Sequence, residues 1–522
     1  MTDQAILFDQ LPAMTSRTAG GSLRNRAIAG LLGGISGGIV FGLLVAPEAG
    51  WGVHLAISAL LGILFGAVIG GSVHSAGSGL VWGQATGLLW WLAGPLTLLP
   101  LLRSQAVRWD ADAVQMLLPQ LLGLVAAYGA LMGFSYAWFV DRLNRRLPSP
   151  AAGSVPATAQ RATPVAHPIV SRRVRALIVG GVGGLLGSWV FVWGLVGADF
   201  YTVVAEIVRS DSLAVGRTLH YLIGAIIGCS FGLLFDHEDQ HPGNGLLDGI
   251  NYGLLWWMIG PLILLPWLLG RDARPYWTLE TVQRFVPSFV GHILYGALVG
   301  WFYGLVNGLW QVLFVDSDPL NRAAEGRGGR GLRAILMGQA GGMLGGLLFT
   351  VIMVGIGALP RIANLIGMAS PVVGFLVHLA ISVIIGMSYG LLFYRKASSY
   401  AAEIAQGLVY GWFWWVLGAV TLFALLLRQP VDWSLQSVTA LYPSLVGHLL
   451  YGVGLAVFFQ FLAQRYDAEP PIRAGRAGQA VQRIDKERHT ARATAVCMLV
   501  LVLGVVLPLL MGLGGQTGGS GY

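Results

Sequence analysis

Six times along its 522 residues the chain writes one helical hairpin. The first helix of each hairpin carries Gly-x3-Gly-x3-aromatic: Gly33, Gly37, Phe41; Gly83, Gly87, Trp91; Gly183, Gly187, Phe191; Gly249, Gly253, Trp257; Gly341, Gly345, Phe349; and Gly407, Gly411, Trp415. The second carries His-x7-Gly-x2-aromatic-Gly: His54, Gly62, Phe65, Gly66; His220, Gly228, Phe231, Gly232; His292, Gly300, Tyr303, Gly304; and His378, Gly386, Tyr389, Gly390. Two copies have decayed, to His448, Ala456, Phe459, Gln460 and to Val125, Gly133, Tyr136, Ala137. A short unit repeated this often buries its apolar faces only against its neighbours, which constrains the chain to an array of packed hairpins.

The medium in which they pack follows from hydropathy. Hydrophobic residues make up 55% of the chain and charged residues 11%, and mean hydropathy is +0.68. Apolar runs of about 20 residues, the length that crosses a bilayer core, recur throughout. Seventy-five glycines would weaken soluble helices, but in lipid they let helix backbones approach closely. The chain therefore reads as an all-α integral membrane protein with about thirteen transmembrane helices: three tandem four-helix repeats, that is six similar hairpins, plus one C-terminal helix. Spans are expected to begin near Ala27, Gly52, Leu80, Leu118, Val174, Thr218, Leu246, Phe285, Ala334, Val372, Ile404, Leu441 and Thr494. Residues 1–26 lack an apolar h-region after a basic start, so the first span reads as an uncleaved anchor.

Basic residues set the expected orientation. With the N-terminus inside, inner segments hold 23 of the 32 Lys and Arg and outer loops hold 9, as the positive-inside rule requires. The expectation is a bacterial cytoplasmic (inner) membrane, N-terminus inside and C-terminus outside. The net charge of +8 is then a topology signal. No basic stripe interleaved with aromatics argues for nucleic acid. Cys229 and Cys497 both fall in expected spans and form no disulfide framework or Cys-x-x-Cys site.

The expected divisions are a cytoplasmic segment 1–26, membrane repeat 27–140, a flexible basic linker 141–172, membrane repeat 173–306, a mobile Gly/Arg linker 307–332, membrane repeat 333–462, a charged linker 463–493, a final helix 494–511 and a disordered tail 512–522. The repeats are clearest in GLLWWLAGPLTLLP, GLLWWMIGPLILLP and GWFWWVLGAVTLFA, which begin at Gly87, Gly253 and Gly411. An outer motif recurs as Trp109, Trp277 and Trp433, each followed ten residues later by Pro119, Pro287 or Pro443. Asp110, Thr278 and Ser434 stand next, where a helix N-cap belongs. This predicts a short interfacial helix with its Trp at headgroup level.

The repeated residues carry the functional reading. Gly33, Gly37, Gly83, Gly87, Gly183, Gly187, Gly249, Gly253, Gly341, Gly345, Gly407 and Gly411 are read as packing faces. The pairs Trp90–Trp91, Trp256–Trp257 and Trp414–Trp415 lie too deep for an interfacial belt. They pack, stack on a planar ligand or line a cavity. Pro95, Pro100, Pro261 and Pro266 should kink or break their helices. His54, His220, His292, His378 and His448 sit at one depth, each sharing a helix face with the Gly at +8 and the aromatic at +11. They could form a ring or layer. Three roles suit an imidazole in a membrane: an interhelical hydrogen bond, axial ligation of a haem or chlorin, or a place on a proton or metal path.

Enzyme chemistry finds little support. Asp248 and Glu403 lie at inner helix ends as interfacial carboxylates, and no span carries a buried acidic relay. There is no Walker A loop, no His-Glu-x-x-His and no Gly-x-Ser-x-Gly. The run Asp236 to His241 is a solvated loop or a weak metal ligand set. The leading reading is a non-enzymatic permeation or transport protein for a small solute, its His face lining the path. The alternatives are a haem- or chlorin-binding subunit and a membrane scaffold or assembly factor. Partners are the lipid bilayer and an unidentified solute or membrane protein, with no nucleic acid. The sequence assigns no metal site and no catalytic residue.

The runs GFLVHLAISVIIGMSYGLLF from Gly374, GLLWWMIGPLILLP from Gly253 and PSFVGHILYG from Pro287 resemble an uncharacterised family of bacterial polytopic membrane proteins, in which His-bearing and Trp-Trp helices recur in four-helix units. The resemblance covers the three repeats and implies fold and membrane location, with no activity attached. Val125 and Ala419 depart from it.

Overall fold

The computed structural model describes residues 22–45, 50–107, 111–146, 171–195, 200–236, 241–270, 278–310, 313, 327–393 and 399–467. Twelve helices of these residues are long and apolar enough to cross a membrane: α1 (Leu23–Val45), α2 (Trp51–Ser72), α3 (Ala76–Leu102), α4 (Leu118–Arg146), α5 (Arg172–Phe191), α6 (Leu213–Leu234), α7 (Pro242–Leu268), α8 (Val286–Trp310), α9 (Gly328–Gly355), α10 (Pro371–Phe393), α11 (Tyr400–Leu426) and α12 (Tyr442–Arg465). No strand occurs among the described residues. Helices satisfy every backbone group internally, which hydrocarbon demands. The chain is an all-α polytopic membrane protein. Residues 147–170 of the expected basic linker, 468–493 of the expected charged linker, the expected final helix 494–511 and the tail lie outside the described residues. α9 is already helical from Gly328, within the expected Gly/Arg linker 307–332.

Each four-helix unit packs in one order. In the first, α1 lies between α2 and α4, and α4 carries α3 on its other side. The second and third units repeat this as α6–α5–α8–α7 and α10–α9–α12–α11. The first helix of a unit therefore has two neighbours and needs two small faces. A methyl on Gly33 or Gly37 would meet the Met132 or Tyr128 carbonyl of α4, whereas Gly30, Gly34 and Gly38 face Gly62 and Ser58 of α2. Gly180 and Gly184 face Gly228 and Gly224 of α6, and Gly187 faces Tyr295 of α8. Gly338 and Gly342 face α10, and Gly341 and Gly345 face α12. In the third helices a Cβ on Gly83, Gly87, Gly249, Gly253, Gly407 or Gly411 would stand 2.0–2.3 Å from a carbonyl of the fourth helix.

The second helices are peripheral. Only 22–28% of the apolar windows of α2, α6 and α10 is buried, against 72% for α4. The largest core runs through α3, α4, α7, α8, α11 and α12 and holds the buried indoles Trp91, Trp257, Trp412 and Trp433. Units meet by repeated contacts. Phe235, just after α6, lies where a Cβ on Gly77 of α3 would go, and Phe393 of α10 does the same to Gly243 of α7. Asn251 Nδ2 of α7 donates to Gln84 Oε1 of α3 at 2.9 Å, with both side chains buried.

The prolines do not break their helices as their sequence positions suggest. At Gly94–Leu98 and Gly260–Leu264 the helix widens to a π turn and continues. Widening moves the carbonyl that the proline ring would strike and absorbs the missing N–H. α11 has Ala419 where the others have proline, yet it is π-helical over Trp415–Leu422. The widening therefore follows position in the unit rather than proline alone. Thr97 and Thr421, equivalent positions, each donate to the carbonyl five residues back, at 2.8 and 2.9 Å. Past these helices Ser104, Gly270 and Arg428, again equivalent, take φ of 56°, 72° and 56°. This is a left-handed C-terminal cap.

Candidate functional site

All five histidines bond to backbone carbonyls. On the second helices His54, His220 and His378 use Nε2, reaching across to the first helix at Gly38 (2.7 Å), Ser188 (3.0 Å) and Gly346 (3.1 Å). On the fourth helices His292 and His448 use Nδ1, bonding the Ser288 and Ser444 carbonyls one turn back at 2.7 and 2.8 Å. A carbonyl only accepts, so in each ring the bonded nitrogen carries the hydrogen. The two helix types thus assign opposite tautomers.

The aromatic that ends the first sequence pattern sits between these rings. Phe191 lies 5.3 Å from His220 and 4.8 Å from His292. Phe349 lies 5.0 Å from His378 and 4.6 Å from His448. Phe41 meets His54 at 5.7 Å, with Val125 on the fourth helix where the other units have histidine. Histidines are therefore paired across a phenyl ring inside a unit, instead of facing one another in a ring of units. A macrocycle ligated by both members of a pair would have to replace that phenyl.

A tyrosine layer, which the pattern reading passed over, completes the arrangement. Tyr128, Tyr295 and Tyr451 of the fourth helices donate to the Ser58, Gly224 and Ser382 carbonyls of the second helices at 2.9, 2.6 and 2.7 Å. Each acceptor stands four residues after a second-helix histidine, and each tyrosine three residues after His292, His448 or Val125. That shared spacing was the available signal. The hydroxyl reaches over the first helix because only glycine or a small residue lies beneath it.

The tryptophan pairs divide their roles. Trp91, Trp257 and Trp415 are buried, and their Nε1 groups donate to the Leu117, Phe285 and Leu441 carbonyls at 3.0, 3.2 and 3.1 Å, at the start of the fourth helix. Trp90 and Trp414 are half-buried against the same core, and Trp256 against a separate cluster that includes Phe231, Tyr252 and Tyr295.

Two groups read from the sequence as interfacial are buried within the protein. The short helices Leu279–Arg284 and Leu435–Ala440 form, with Thr278 and Ser434 as N-caps. Trp433 is fully buried within the protein. It donates from Nε1 to Thr421 Oγ1 at 3.1 Å and fills the space where a Cβ on Gly194 would stand, between the second and third units. Trp109 and Trp277 lie outside the described residues. Asp248 and Glu403, expected at the interface, are 4% and 6% exposed. Tyr389 donates to Glu403 Oε2 at 2.8 Å and accepts from Gln406 Nε2 at 3.0 Å, which lets a carboxylate enter the bundle.

Among the described residues no three His, Cys, Asp or Glu gather as a metal site. Asp236 is held by Arg172 at 3.6 Å, and residues 237–240 of the loop lie outside the described residues. Cys229 Sγ contacts the Leu177 carbonyl at 3.3 Å, and Cys497 is outside the described residues. No family model, curated protein or solved structure matches the chain.

Proposed function

We propose that the protein is a non-enzymatic membrane scaffold that presents its outer helices to partners within the bilayer. One observation carries this reading: the histidines, the tyrosine layer beside them and the buried tryptophan of each pair are engaged in the fold. Five histidines, three tyrosines and three tryptophans each bond a carbonyl of their own unit. Leucine, phenylalanine and tryptophan fill the seams between units, with Phe289 and Trp412 6.3 Å apart. Exposed apolar side chains such as Leu222 and Ile226 on α6, and Leu376 and Ile384 on α10, supply the lateral surface. Residence in a bacterial inner membrane with the N-terminus inside, and kinship with the bacterial polytopic family, belong to the same proposal.

Permeation of a small solute is the second reading, and the π turns favour it. A Cβ on Gly260, in the π turn of α7, would stand 3.7 Å from His292 Nε2. That nitrogen carries a lone pair, and π turns often mark functional positions. The test compares two variant sets. One replaces His220, His292, His378 and His448 by Asn; the other places Gln at Leu222, Ile226, Leu376 and Ile384. A scaffold loses its native-membrane complex, seen by size in mild detergent, only in the second set. Loss of solute flux from proteoliposomes only in the first set would overturn the scaffold in favour of permeation.

A further inference from the structure

The arginine-rich end of the third unit bears an open groove of 370 Å³ between α9 and α12, walled by Leu336, Met337, Leu462 and Arg465. Leu336 is 56% exposed, so the groove opens toward the surroundings of the bundle rather than its core. Three walls are apolar and one is a guanidinium. Further positive charge lies along the same side. Arg330, Arg333 and Met337 follow one another at i, i+3 and i+7 on α9, which places them on one helix face. The Arg330 Nε is buried and has no hydrogen-bond partner among the described residues. From Arg327 to Gly355 the helix itself carries no acidic residue.

The level of the groove is marked by a second feature. The Arg465 guanidinium lies over the Phe461 ring, 4.3 Å from its centroid. At the same end of the other units Arg142 lies over Trp138 at 3.4 Å and Arg175 over Trp310 at 4.5 Å. Aromatic rings beside arginines at span ends belong at headgroup depth. Unit 2 has Val306 and Leu309 where unit 3 has Leu462 and Arg465, so the basic wall is not a general property of the repeat.

We propose that this groove binds an anionic phospholipid. The head-proximal acyl segment lies on Leu336, Met337 and Leu462, and the phosphate is held by Arg465 and Arg330. Small-ligand sites run from roughly 300 to 1,000 Å³, so the groove holds that segment of one lipid and leaves the rest in the bilayer. Charge complementarity selects the headgroup, and the apolar walls require a chain beneath it.

The full-length protein is delipidated in detergent and titrated with phosphatidylglycerol, phosphatidylcholine or soluble glycerol phosphate, with bound lipid counted by native mass spectrometry. One phosphatidylglycerol should be retained on the order of 10-fold more tightly than phosphatidylcholine, from about two arginine contacts. Arg465→Gln with Arg330→Gln should abolish the preference, and Leu462→Trp, which fills the groove at unchanged charge, should abolish retention. Arg142→Gln in the first unit should leave both unchanged. Equal retention of the two lipids, or a preference that survives both the arginine pair and Leu462→Trp, overturns the proposal. Displacement of the lipid by glycerol phosphate as readily as by phosphatidylglycerol also overturns it, because the acyl walls would then be idle.

Discussion

Alanine at Gly228 separates a touching backbone from a merely adjacent one. The added methyl would stand 2.2 Å from the Gly180 carbonyl oxygen and 2.8 Å from Gly184 Cα, both backbone atoms that cannot rotate away. Ordinary contact begins near 3.4 Å, so α5 and α6 must part locally by about 1.2 Å, the difference between 3.4 and 2.2. That shift also lengthens the bond from His220 Nε2 to the Ser188 carbonyl, now 3.0 Å. Overpacking of this kind costs about 1–3 kcal/mol, and a lost interhelical hydrogen bond in a membrane adds roughly 0.6 kcal/mol. The helix-propensity gain of alanine over glycine offsets roughly 0.5–1 kcal/mol. The net expectation is a loss of about 1–3 kcal/mol. Gly183 belongs to the repeated pattern too, but a Cβ there meets nothing closer than Val299 at 3.4 Å. Gly183→Ala should stay within about 0.5 kcal/mol of wild type. Reversible unfolding in mixed detergent micelles measures both. Equal damage from Gly183→Ala and Gly228→Ala, or unfolding of Gly228→Ala with the wild type, would refute a touching backbone at Gly228.

Further expectations follow from other parts of the bundle. Trp433→Ala empties the wedge between the second and third units and should cost about 3–5 kcal/mol; a change below about 1 kcal/mol would show that the indole is not a wedge. Arg428→Gly should stabilise by about 0.5 kcal/mol, because it removes the left-handed strain of a side chain at φ 56° where unit 2 has Gly270; a loss in thermal midpoint would contradict this. The Asp432 carboxyl is held below its usual range because the Ser437 hydroxyl and the Ser434 N–H donate to its charged form. Its contribution to the Leu435–Ala440 helix is therefore present at neutral pH and is lost as pH falls through its lowered value. Hydrogen exchange across that helix, corrected for intrinsic rates, should accelerate on acidification in wild type and show no such step in Asp432→Asn.

The parts of the fold that depend on one helix at a time were legible in the sequence. Span positions came from hydropathy, and His220, Gly228 and Phe231 share a buried face as helical spacing requires. Features that depend on a neighbour were less so. The second glycine face, Gly30, Gly34 and Gly38, is needed only because α1 lies between two helices, and no single-helix pattern states that. Trp433 looked interfacial by its place in a loop, and only the approach of Gly194 from the preceding unit makes it a core residue. Glu403 looked interfacial because its partner Tyr389 sits on another helix. The histidine layer was visible, but the pairing across Phe191 and Phe349 depends on the order α6–α5–α8, which the spacing does not encode.

Hydrogen bonds to backbone carbonyls fix the five histidines. Nitrogen-15 NMR of histidine-labelled protein in lipid nanodiscs, assigned by single substitutions, tests this most directly. Two classes are expected, with the hydrogen on Nε2 in His54, His220 and His378 and on Nδ1 in His292 and His448. A single tautomer for all five, or a resonance displaced by bound metal or haem, would contradict it.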